Sequence, residues 1–389
     1  MKRNSGALKI TILLVSCLTI MSIVTISPSL PEMSLAFSEI PNSEFLVKLV
    51  LTLPALFIAL ISPLAGALID RYGRLKLLWL ALLLYAVSGT SGYYLNDLYF
   101  ILAGRALLGI AVGISMTIVV TLVADYFEGM ERQKFAGLQI AFMSIGGILF
   151  IGLGGILADI NWRFPFLIYL FALIILPLTI LYLHEPTIVL NKSKQVSKIK
   201  TPPIMWLLLF NIMIMWILFF LIPVQIPFYL KAIGIQQNAL IGAAIAVSTA
   251  FSAISAFSYA KLKSRYSFFT IFSLGYLLMS MAFLLVAFIP SYMAVILAMM
   301  LAGLGMGMMI PNTNIWVMKI APPEIRGRAI GRLTTFWFLG QFLSPVLLLP
   351  FTIAFSLSST FYLAAALLMV LSIAFLFLQL SAAKTSVVH

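Results

Sequence analysis

The feature that most constrains this 389-residue chain is a series of apolar runs, each about as long as a lipid bilayer is thick. A helix needs roughly 20 apolar residues to cross a hydrocarbon core of ~30 Å. No water reaches the backbone there, so a single run must close its own hydrogen bonds as a helix. The runs are 8–30, 45–69, 75–94, 98–124, 135–157 and 164–182, then 204–230, 239–259, 268–289, 292–317, 329–353 and 360–380. Between the sixth and seventh lies HEPTIVLNKSKQVSKIKTPP, whose lysines and closing Pro pair suit an exposed linker. The expected fold is therefore an all-α integral membrane protein with twelve transmembrane helices in two six-helix bundles. Its expected parts are residues 1–183, a linker over 184–203, and residues 204–389.

Composition excludes the soluble alternatives. Charged residues make up only 9% of the chain and hydrophobic ones 63%, whereas a soluble domain carries about a quarter charged. A net charge of +13 would suggest nucleic acid in a soluble protein. Here the basic residues fall in short loops between runs. Only Lys48, Arg105, Arg163 and Lys231 of the 24 fall in spans or on the side opposite the termini, which predicts cytoplasmic termini and a cell-membrane location. No cleavage pattern follows the first run, so it reads as a retained span. Cys17 is the sole cysteine and His184 and His389 the only histidines. No metal site, cofactor, catalytic group or nucleotide loop is expected from this set.

The loop after the second run reads GALIDRYGRLKLL, and places Asp70 among Arg71, Arg74 and Lys76, with Gly66 and Gly73 free for close or left-handed backbone. The fourth run carries Arg105 within GRALLGIAVG. The fifth reads GGILFIGLGG before NWRFPF, and APPEIRGRAIG follows the tenth. Together these resemble the major facilitator superfamily: the loop signature, the membrane arginine, the glycine-rich fifth span and the second-half loop. The resemblance implies two pseudo-symmetric bundles and alternating access. It also implies a cytoplasmic gate built from Gly66, Asp70, Arg71, Gly73 and Arg74, with Asp125 as a further member. Drug-exporting members carry a Gly-Pro pair in the fifth span, where this chain has Phe150 and Ile151.

Arg105 lies inside a span, where an unpaired cation is costly, so it should face the protein interior and serve the cavity or proton coupling. The alternative is snorkelling to the headgroups. Glu32 follows Ser27-Pro-Ser-Leu-Pro31 and is the candidate proton carrier, or else an exposed loop acid. Asp159 reads as a solvated cap or a partner of Arg163. Gly146, Gly147, Gly154 and Gly155 should let helices approach closely. In the second half, Asn211, Trp216, Gln225, Asn312, Trp316, Trp337 and Gln341 are the candidate substrate cavity, or helix-to-helix hydrogen bonds taken singly. The predicted activity is proton-coupled efflux of small amphipathic organic compounds. The alternatives are transport of a polar metabolite (sugar, amino acid or siderophore-like), or a non-transporting receptor or enzyme on the same fold. The expected partners are a small-molecule substrate, protons and the lipid bilayer, with no nucleic acid, for a monomeric protein.

Overall fold

The computed structural model describes residues 5–186, 202–322 and 325–387, and their side chains apart from 5, 70 and 382–387. The predicted linker therefore lies mostly outside the described residues. Among the described residues there are no strands, and twelve helices are long and apolar enough to cross a membrane. They are α1 (Gly6–Ala36), α2 (Ser43–Ile69), α3 (Arg74–Tyr94), α4 (Leu98–Tyr126), α5 (Gly129–Ile160), α6 (Phe164–Tyr182), α7 (Pro203–Ala232), α8 (Asn238–Lys263), α9 (Phe268–Phe288), α10 (Tyr292–Ile320), α11 (Arg326–Ala354) and α12 (Leu357–Ser381). An even number of crossings puts Ser5 and Ser381 on one face, called here the termini face.

Two of these helices are broken near the opposite, far face. In α1 the regular helix stops at Val24 and a tight turn spans Ser27–Ser29, before helix resumes at Leu30. In α7 the break falls at Phe220. Pro28, Pro31 and Pro223 fall in the first turns after the breaks, where a missing N–H costs nothing. The two breaks touch. Ser27 Oγ donates to the Pro223 carbonyl at 2.5 Å. That carbonyl is available because the residue four positions on, Pro227, has no N–H to offer it.

Packing follows a two-fold pattern. Within the first half α2 packs on α4, α3 on α4 and α6, and α1 on α5. Six helices later the same pairs recur: α8 on α10, α9 on α10 and α12, and α7 on α11. Two pairings, α5 on α8 and α2 on α11, join the halves and exchange under the same two-fold. Large apolar side chains such as Ile145, Leu149 and Ile156 of α5, and Val370, Ile373 and Phe377 of α12, stand exposed at helical spacing. In water such stripes would aggregate. Here they form the surface that meets lipid.

Four glycines of α5 sit in close helix contacts. A Cβ at Gly155 would stand 2.6 Å from the Asn238 carbonyl, and one at Gly154 would meet the Thr25 carbonyl in the α1 break. One at Gly146 would sit 2.9 Å from Cys17 Sγ, and Gly147 lies against Ile20 and Thr249. Towards the termini face this contact ends. Gly66, Gly137, Gly327 and Gly331 all have open space where a Cβ would stand. The halves are thus closed at the far face and splayed towards the termini. Close approach at Gly66 is corrected for this conformation. Replacing Gly155 by Ala should lower the thermal unfolding midpoint of purified protein, at a cost of ~1–3 kcal/mol, while Gly66→Ala leaves it unchanged or slightly raised. Equal midpoints for the two variants would contradict this packing.

Candidate functional site

At the termini face, the turn between α2 and α3 is set by Gly73, whose φ of +83° belongs to a residue without a side chain. The turn delivers Arg74 to the foot of α4, where its Nε donates to Asp125 Oδ2 at 2.7 Å. Arg71 is exposed and lies over the Tyr72 ring. The Asp70 side chain, the predicted acid of this turn, lies outside the described residues. A second acid does appear. Glu185, just beyond α6, accepts from the backbone N–H groups of Arg74 at 2.7 Å and Leu75 at 2.9 Å. A carboxylate there satisfies two orphan donors and suits the positive end of the helix dipole. Its neighbour His184 is held through its backbone by the Tyr126 hydroxyl. The predicted gate is therefore stapled from an acid that the loop signature does not contain.

Arg105 is fully buried between α1, α2, α4 and α6. Its Nε donates to the Val50 carbonyl at 2.8 Å and Nη2 to the Ser22 carbonyl at 2.9 Å, while the guanidinium lies 5.0 Å from the Tyr169 ring centroid. Val50 is four residues before Pro54, which cannot donate to it. Ser22 is in the last turn of the first piece of α1, where carbonyls run out of helical partners. Intramembrane arginine costs ~2.5–3.5 kcal/mol on insertion scales, and hydrogen bonds to a charged group return ~1.5–3 kcal/mol each. Two such bonds hold the cation without an acid. Because a guanidinium does not deprotonate in proteins, Arg105 organises four helices and cannot itself carry a proton. Snorkelling does not occur.

At the far face the two halves are tied by side chains. Glu32 Oε1 pairs with Lys231 Nζ of α7 at 2.6 Å and accepts from Asn238 Nδ2 of α8 at 2.9 Å. Asp159, at the end of α5, accepts from the backbone N–H of Asn238 at 2.5 Å and of Ala239 at 3.0 Å, capping α8. Asp159 is thus an exposed cap, set on the start of α8, and not a partner of Arg163. The Arg163 guanidinium binds the carbonyls of Gly92 and Leu95 and the Asn96 side chain instead. Burial lowers its pKa from the ordinary arginine value. Beside the latch is a cavity of about 310 Å³ lined by Glu32, Glu44, Phe228 and Lys231 among others. Lys48 is fully buried nearby, paired with Glu44 at 2.5 Å and lying over the Phe228 ring.

The predicted cavity residues of the second half divide into two groups. Asn312 accepts from the Tyr259 hydroxyl and donates to the Phe268 carbonyl, so it ties α8, α9 and α10. Trp316 stacks on Phe268 and meets Phe269 edge-on, within the same region. Asn211 accepts from Tyr276 on α9, and Gln225 reaches Thr352 at 3.5 Å. Trp216 and Trp337, in contrast, stack on each other between α7 and α11 at 4.5 Å, with Gln341 one turn further along α11. Among the described residues no group of three His, Cys, Asp or Glu side chains could hold a metal ion.

The family model of the Major Facilitator Superfamily matches residues 12–345 and again 238–388. The chain belongs to the major facilitator superfamily. It is a transporter and not an enzyme. It is 35% identical over 147 residues to the bacillibactin exporter of Bacillus subtilis (strain 168), covering 36% of each chain. The matched segment spans about a third of that relative. It is 26% identical over 305 residues to the quinolone resistance protein NorA of Staphylococcus aureus, covering 74% of this chain and 76% of that one. Among solved structures, the nucleoside transporter NupG aligns with a TM-score of 0.77 at 14% identity, over 97% of this chain and 98% of that chain. Such identity establishes the fold alone.

Sequence reasoning missed Glu185, Lys231 and Asn238. Lys231 carried a signal that could have found it: it closes the seventh run just after a Pro-rich break, as Glu32 follows the break in the first. The α3 staple gives a local prediction. Glu185→Gln should speed amide hydrogen exchange at Arg74 and Leu75 by about tenfold, the equivalent of ~1.4 kcal/mol, with exchange in α9 unchanged. Unaltered exchange at both amides would show that the carboxylate does not hold the turn.

Proposed function

We propose that this facilitator exports small amphipathic organic compounds by alternating access, in exchange for protons. The observation that carries the reading is the Glu32–Lys231 pair, which ties the halves at the end where the path is closed. Protonating Glu32 removes the charge that holds Lys231, so a proton arriving at the far face loosens the closure. A ligand or proton that prefers one state shifts the equilibrium towards it. Arg105 acts as a positioning residue, fixing the α1 break that carries Glu32. Gly66, Asp70, Arg71, Gly73, Arg74 and Asp125 form the gate that closes the opposite end when the cycle turns. The halves divide at the 184–203 linker, and one chain suffices for transport.

The split of basic residues supports a termini face on the cytoplasmic side of the cell membrane. The splayed side then opens inward, where an exporter collects its cargo. Export also agrees with the relatives named as exporter and resistance proteins. A second reading, efflux of a siderophore-like polar metabolite, is favoured by the match to the bacillibactin exporter alone.

Protein in liposomes with an imposed pH gradient should move a lipophilic dye against its gradient. Flux should collapse when the proton gradient is dissipated, fall by at least about tenfold in Glu32→Gln, and fall strongly in Arg105→Ala. Flux indifferent to the gradient and to Glu32→Gln would overturn proton coupling.

A further inference from the structure

At the termini face the first half closes charge on itself, through Arg74 and Asp125. The matching corner of the second half does not. Asp125 is the last residue but one of α4, and six helices later the last residue but one of α10 is Lys319. The surrounding helices repeat as well, since α8 and α9 pack on α10 as α2 and α3 pack on α4. Lys263, which ends α8, reaches into the same corner. Two like charges thus stand where the first half sets an ion pair. The turn between α8 and α9 contains no acid over residues 261–267, KLKSRYS. Among the described residues no carboxylate pairs with either lysine. Glu324, the only acid of this half, lies outside the described residues.

Both lysines converge on one ring. The Lys263 ammonium lies 3.9 Å from the Phe268 ring centroid, and that of Lys319 lies 5.8 Å from it. Phe268 is held in place, because Trp316 stacks on its ring at 5.1 Å and Asn312 donates to its carbonyl at 3.0 Å. The ring face attracts each ammonium. It carries no net charge, however, and leaves the repulsion between the two in force. Lys263 uses one donor on the Tyr266 carbonyl, and an ammonium has three. An anion shared by the two lysines would occupy the remaining donors and remove the repulsion. Towards mid-bilayer the same surface is apolar. Ile315 lies one helical turn before Lys319 on α10, and Ile254 two turns before Lys261 on α8, so each shares a side with a lysine at its helix end. Both side chains are exposed.

We infer that this corner of α8, α9 and α10 binds the phosphate of an anionic phospholipid, with the acyl chains along the apolar sides of α8 and α10. Lys263 and Lys319 share the phosphate, and Lys261 adds to the attraction. Basic clusters at headgroup level gain from each negative lipid charge beside them. A zwitterionic lipid carries its own cation next to its phosphate, which opposes the lysines, so the site selects net negative charge. The lipid supplies to the second half the anion that Asp125 supplies to the first. The inference concerns equilibrium binding and rests on neither proton coupling nor the direction of transport.

The test is native mass spectrometry of the full chain in dodecyl maltoside, titrated with dioleoyl phosphatidylglycerol or dioleoyl phosphatidylcholine. It reads the dissociation constant of the first bound lipid. The wild type should hold phosphatidylglycerol at least about tenfold more tightly, since each lysine beside an anionic lipid is worth about fivefold. Lys263→Gln and Lys319→Gln should each lower that preference about fivefold, and Lys319→Arg should keep it. Lys134→Gln makes the same change of charge at an exposed position of α5 and should leave the preference intact. Lys319→Asp installs the acid of the first half, so it should abolish the preference and raise the unfolding midpoint in lipid-free detergent. If Lys263→Gln cannot be purified, Lys319→Gln, at an exposed side chain, decides alone. Equal affinity for the two lipids in the wild type, including binding of neither, would overturn the site. So would a loss in Lys134→Gln as large as in Lys319→Gln, which would show only a diffuse basic face. Inorganic phosphate that raises the unfolding midpoint as much as phosphatidylglycerol does would overturn the lipid as the occupant.

Discussion

Every backbone polar group inside a bilayer must find a partner within the protein, and the structure turns the exceptions into its tertiary bonds. Pro54 leaves the Val50 carbonyl without a helical donor, and Arg105 takes it. Pro227 does the same to Pro223, and Ser27 takes it across the two halves. In both places a carbonyl that a proline leaves without its helical donor becomes the attachment point for another helix. The first bond ties α4 to α2, and the bond of Arg105 to the Ser22 carbonyl adds the broken α1. The second docks that break on the matching break in α7. Glu32, just beyond the α1 break, is delivered to Lys231 by this framework rather than by any local signal of its own.

The two halves share a packing plan but not a charge plan. Helix pairs repeat with a shift of six, as a two-fold requires, and α5 on α8 exchanges with α2 on α11. Ten of the eleven acids, in contrast, lie before residue 186. The first half therefore supplies the carboxylates of both ends, at Asp125 and Glu185 on one side and Glu32 and Asp159 on the other. The second half answers with a lysine, backbone N–H groups at the start of α8, and uncharged indoles and amides.

Run length located all twelve helices because crossing a bilayer demands it, whatever the tertiary contacts. Pairing was legible only where residues are near in sequence or carried by a family pattern. Arg74 and Asp125 were placed together on the second ground. Arg105 was legible as interior, but its acceptors were not, because they are backbone carbonyls exposed by a distant proline and a helix end. Asn312 and Trp316 were grouped with the cavity because a polar or aromatic residue beside a proline looks the same whether it faces a path or a neighbouring helix. Only the positions of Tyr259 and Phe268 separate the two cases. Asp70, expected in the gate from the loop signature, has its side chain outside the described residues.

The account's central claim is that the ends of the path open and close reciprocally about the Glu32–Lys231 tie. Electron–electron distances in lipid nanodiscs test it directly. In a Cys17→Ser background, one label pair at Asn42 and Gln236 reports the far face, and another at Met130 and Lys261 reports the termini face. The account predicts a short, narrow far-face distance and a long termini-face distance at rest. Lys231→Ala should add a longer far-face population and a shorter termini-face population in the same proportion. A far-face distribution unmoved by Lys231→Ala, or one that lengthens while the termini face stays open, would contradict it.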